Sequence, residues 1–170
     1  MLFRSACFVI AAAVIAQTLG AQTTWVVPTQ APSLQAAVNL ASPGDVVTTA
    51  PGFVDTTANI TINKALTLRD CTISIPWIPD GLNSSYGVIV TGISGGDTIR
   101  LLRLNIADES LSATRWGARS VGVSIALPTG ASGRLSLEAV VVRAGMGRQA
   151  GTALSIASTG STKLYVRNSQ

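Results

Sequence analysis

From residue 66 onward, apolar and polar positions alternate in short runs that return in a fixed order. One run is Leu66-Thr-Leu-Arg-Asp-Cys-Thr-Ile73, and it recurs as Ile99–Ile106, Leu135–Val142 and Leu164–Gln170. Starts at 66, 99, 135 and 164 give spacings of 33, 36 and 29 residues. Offsets 0 and 2 are apolar in all four copies, and offsets 5 and 7 in the first three. Side chains alternate faces along a strand, so this change of parity requires a corner near offsets 3 and 4. Each run therefore reads as two short strands meeting at a bend. A second, shorter alternating strand opens on a small residue: Gly87–Val90, Gly122–Ile125 and Ala153–Ile156. Together they predict three short strands per repeat.

No single repeat has enough apolar surface to bury itself, whereas stacked repeats serve as each other's walls. The expected fold is all-β, a parallel β-helix. A β-sandwich is the competing architecture, but it does not predict columns that align over four copies. Upstream, Thr24–Val27 reads as a strand. Pro32–Gly44 reads as one short helix, with Ser33 as N-cap and Pro43-Gly44 as the stop. Leu34, Ala37, Val38 and Ala41 fall on one face of that helix, as a cap over the first coil requires.

Residues 1–21, MLFRSACFVIAAAVIAQTLGA, change the picture of where the chain goes. Arg4 precedes an apolar run too short for a bilayer span, and Gly20-Ala21 supplies small residues for cleavage. This predicts a signal peptide over 1–21, export to the outside or the cell surface, and no stable membrane insertion after cleavage. The β-helix domain is then 22–170, with 22–65 forming the cap and first coil and 66–170 the stacked coils.

The run Ser33-Leu-Gln-Ala-Ala-Val-Asn-Leu-Ala-Ser-Pro-Gly-Asp45, then Ala50-Pro-Gly52 and Asn59–Arg69, resembles the opening of secreted right-handed parallel β-helix proteins of the pectin-lyase-like superfamily. The resemblance covers about 24–75, and the later coils match only as a general repeat. Phe53-Val-Asp55 stands where the family commonly has an aromatic in a Gly-Thr-Tyr-like context. It implies fold strongly and function weakly, because one fold hosts many chemistries.

Composition narrows the chemistry. The chain has 170 residues, 47% hydrophobic and 12% charged, with no histidine. That removes imidazole-based acid/base catalysis, Ser-His-Asp and Cys-His pairs, and zinc sites that need imidazole. The twelve basic and eight acidic residues give a net charge of +4, and the basic residues are scattered along the sequence, so no nucleic-acid partner is expected. Cys71 is the one cysteine left after cleavage, at an inward offset, and is expected to be a buried small hydrophobe.

The strands Val88–Val90, Val123–Ile125 and Leu154–Ile156 carry no acid, where a carbohydrate-active enzyme of this fold would place its carboxylates. Asp108-Glu109 is the only adjacent acidic pair, too few ligands for Ca²⁺. No metal and no cofactor are expected. Loops Pro76–Tyr86, Ala107–Val121 and Ala144–Thr152 should stack on one rim, where Trp77, Tyr86, Arg115, Trp116 and Arg119 are candidate glycan-binding residues. Aromatic faces stack on sugar rings, and arginines bind hydroxyls or uronates. The competing reading is that each Trp pins its own loop to the wall. Stacking also makes Asp70–Arg103 and Glu138–Arg167 neighbours, and Asn83-Ser-Ser85 fits a glycosylation pattern. The last strand begins afresh at Leu164, so a longer solenoid, end-to-end self-association or a covering partner is expected there.

The expected function is an exported non-catalytic β-helix module, structural or contacting a polysaccharide. The alternative is the N-terminal part of a polysaccharide lyase or related carbohydrate-active enzyme.

Overall fold

The computed structural model describes residues 21–75, 85–93, 95–108, 120–127, 132–143, 152–158 and 163–170. Fourteen strands and one helix occupy them. The strands form three parallel sheets. Sheet A holds β1 (Thr24–Val27), β2 (Val46–Thr49), β5 (Thr67–Arg69), β8 (Thr98–Leu102), β11 (Arg134–Glu138) and β14 (Lys163–Arg167) in that order. Sheet B holds β3 (Val54–Asp55), β6 (Thr72–Ile75), β9 (Asn105–Asp108) and β12 (Val141–Arg143). Sheet C holds β4 (Ile60–Ile62), β7 (Ser85–Val90), β10 (Ser120–Leu127) and β13 (Thr152–Ser158). From β2 the chain visits A, B and C in turn and returns to A one strand further along. That is the winding of a parallel β-solenoid with three strands per coil.

The sequence columns are the registers of these sheets. Leu101 pairs with Leu68 and Leu137, and Leu137 with Val166. Leu135 pairs with Ile99 and Leu164. In sheet C, Ile60, Val88, Val123 and Leu154 form one file, and Ile62, Val90, Ile125 and Ile156 another. Most of these side chains are fully buried and fill the solenoid interior. The file in sheet C starts one coil earlier than the quoted repeat, at β4. β7 and β10 also begin earlier than predicted. Ser85 and Tyr86 belong to β7, paired with Ser120 and Val121 of β10, so Tyr86 is a strand residue and not part of the rim loop. Hydrogen bonding across coils extended these strands beyond the run that alternation revealed.

The corner between sheets A and B is a single residue at offset 4. Asp70, Arg103, Ala139 and Asn168 have φ of 54°, 50°, 53° and 49°, one left-handed residue per coil. One such residue reverses the facing of everything after it, which is the parity change seen in the sequence.

Helix α1 (Leu34–Leu40) closes the N-terminal end over β1, β2 and β4. Leu34, Ala37, Val38 and Ala41 are all buried beneath it, as predicted. The Ser33 hydroxyl accepts from Ala36 N–H at 3.2 Å, and Lys64 Nζ donates to the Ala41 carbonyl at 2.9 Å, where a cation favours the exposed helix carbonyls. At the other end, Leu164, Tyr165, Val166 and Ile156 are exposed, and an apolar cavity of about 160 Å³ opens among Val123, Leu137, Val140, Leu154 and Val166.

Candidate functional site

The longest connections join sheet B to sheet C, and the glycan-binding rim was expected on them. Of its five candidates, Trp77, Arg115, Trp116 and Arg119 lie outside the described residues. So does Asn83 of the glycosylation pattern. Tyr86 is half-buried, and its backbone is held twice by Asn59 of the preceding coil. Asn59 N–H donates to the Tyr86 carbonyl at 2.7 Å, and the Asn59 side-chain oxygen accepts from Tyr86 N–H at 3.1 Å. Asn59 has φ of 60°, a conformation asparagine tolerates better than most residues.

Gly87 follows within β7. A Cβ there would lie 2.7 Å from the Gly122 carbonyl oxygen and 2.8 Å from Ile106 Cγ2. A small residue is needed at Gly87 because the chain passes against the core and the next coil at this point. Ser85, beside Tyr86, is buried with no hydrogen-bond partner for its hydroxyl.

The charge pairs can be placed directly. Arg103 Nε and Nη2 donate to the two carboxylate oxygens of Asp70 at 2.5 and 2.8 Å. The two-pronged bond to Arg103 outweighs burial and, with lesser help from the charges of Arg103 and Arg69, holds the Asp70 carboxyl below the usual carboxylate range. The same bond raises Arg103. Glu138 and Arg167 are register partners, but no ion pair closes between them. The Glu138 charge instead favours protonated Arg103, whose backbone N–H donates to the Glu138 carbonyl at 2.8 Å.

Two buried carboxylates escaped the sequence reading. Asp45 is 5% exposed and Asp55 1%. Asp45 accepts from Thr23 N–H, Ser42 N–H and Trp25 Nε1 at 2.9, 2.8 and 3.2 Å. Burial pushes its pKa up, but these three bonds, with Lys64, more than offset that and leave it lowered. Asp55 accepts from Leu34 N–H and Thr57 N–H, both at 2.6 Å, and so satisfies a free donor at the helix start. Asp55 pairs in register with Ile73, at the top of an otherwise apolar file. Its signal was an acid at an inward parity position one coil before Ile73. Both acids tie the cap to the first coil and are spoken for. Cys71 is 1% exposed, its thiol pushed up to about 12, chiefly by burial, and it donates to the Arg69 carbonyl.

On sheet C the intervening side chains are Thr61, Ile89, Ser124 and Ser155, half-buried and uncharged. Among the described residues no group of three or more Cys, Asp or Glu gathers as metal ligands, and no helix is long and apolar enough to cross a membrane. No family model, curated protein or solved structure matches the chain.

Proposed function

We propose that the protein is an exported, non-catalytic β-helix module that presents a rigid surface to a polysaccharide. The observation that carries this reading is the outer face of sheet C. Its strands carry no charged residue, so that face offers no acid, base or cation to a substrate. Export rests on the 1–21 pattern. The right-handed winding follows from the general handedness of connections between parallel strands. The likeness of Ser33–Arg69 to the pectin-lyase-like opening supports the same architecture. It also supports the second reading, the first part of a carbohydrate-active enzyme.

Incubating the purified protein with acidic and neutral polysaccharides separates the two. The module reading predicts a saturable tryptophan fluorescence change with no release of unsaturated or reducing sugar. Sugar release would establish the enzyme reading in its place.

A further inference from the structure

The basic residues that look scattered in the sequence are gathered by the coil period. The strands β5, β8, β11 and β14 carry Arg69, Arg100, Arg134, Lys163 and Arg167 against one acid, Glu138. All four strands belong to sheet A. Arg100, Arg134, Lys163 and Arg167 are exposed, and among the described residues none of the four closes an ion pair. Arg134 and Lys163 are direct register partners, about 4.8 Å apart along the stack. Like charges facing each other across strands destabilise a sheet. A groove of about 280 Å³ runs beside them, lined by Arg100, Arg134, Ser136, Glu138 and Tyr165. Tyr165 is 44% exposed.

We propose that the outer face of sheet A, rather than the loop rim, is the principal contact surface, and that its partner is a linear carboxylated polysaccharide lying along the solenoid axis. Charge complementarity selects an anion, and the arginine fork matches a carboxylate with two parallel bonds. Ser136 and Glu138 sit between the cations, where they accept from sugar hydroxyls. Tyr165 offers one ring face to a pyranose, whereas single-stranded nucleic acid binders lay out successive aromatics. The proposal rests on the glycan-contact reading and moves the contact to another face.

The test is a titration of the full protein with alginate, with dextran as neutral polymer and single-stranded DNA as competing polyanion. Alginate is expected to bind, more weakly at high salt, with dextran and DNA well behind it. Arg100→Ala/Arg134→Ala should weaken alginate binding by about tenfold or more, and Tyr165→Ala by several-fold. Arg134→Gln should weaken binding without lowering the Tm of the free protein, because it removes the repulsion with Lys163. A purely structural Arg134 would instead lower Tm and leave binding unchanged. If Trp77→Ala/Trp116→Ala abolishes binding while the sheet A variants bind normally, this proposal fails and glycan contact at the rim survives. Equal DNA binding lost in the same variants identifies nucleic acid and overturns the proposal. No binding to either glycan overturns both readings.

Discussion

Asp45 and Asp70 show how differently two carboxylates serve the same wall. The Asp70–Arg103 bond is solvent-exposed on both sides, so its removal is expected to cost about 0–1 kcal/mol. Asp45 is buried, and three donors depend on its charge. Asp45→Asn should destabilise the protein by about 1–3 kcal/mol in urea unfolding at neutral pH. Both acids have lowered pKa values in the folded chain. The unfolded chain therefore binds protons first as the pH falls. Their contribution to stability is whole above the ordinary carboxylate value and is lost as the pH falls through their folded values. Urea midpoints should hold steady down to about pH 4.5 and then drop, with a shallower drop in Asp45→Asn. An unchanged acid limb in that variant would remove Asp45 from the account. The Asp70–Arg103 pair followed from the stacking, but the role of Asp45 was not readable in advance, because Asp45 looks like any turn residue until Thr23 and Trp25 are folded against it.

At the scale of elements, the strands were legible wherever alternation ran for several residues, as in Leu66–Ile73. The inward files Leu68–Leu101–Leu137 follow directly from it. Strand ends were not legible. Ser85-Tyr86 joins β7 through hydrogen bonds to coils distant in sequence, which leave no local pattern. The A-to-B corner appeared in the sequence only as a parity change, and its left-handed residue could not be named because it is Asp, Arg, Ala and Asn in turn.

Ala139 gains nothing from that conformation, with φ of 53°. Ala139→Gly should stabilise the protein by up to about 1 kcal/mol, read as a raised Tm, since glycine meets no Cβ clash there. A lowered Tm would show that the corner is not strained. Gly87, inside β7, makes the opposite demand. Gly87→Val should lower stability by several kcal/mol, because its Cβ meets a backbone carbonyl of the next coil, which cannot swing aside as a side chain can. A Tm within a degree or two of the parent would contradict this close approach.

Over the whole molecule, a solenoid converts a sequence period into a surface. Arg69, Arg100, Arg134 and Arg167 are far apart in the chain and share one sheet because each coil contributes one strand to sheet A. Reading the charges along the chain missed this face. Recognising it requires knowing that all four strands join sheet A. Of the contacts expected on the candidate rim, only Tyr86 falls among the described residues.

Every functional statement rests on coils stacked in the stated register. Cysteine cross-linking measures that register most directly, since Cα partners on adjacent strands are near the spacing a disulfide spans. Arg100→Cys/Ser136→Cys joins register partners on the outer face of β8 and β11. It should oxidise to a disulfide in the folded protein, while Arg100→Cys/Leu137→Cys, slipped by one residue and directed inward at Leu137, should not. Oxidation of the slipped pair in preference to the aligned pair would contradict the stack.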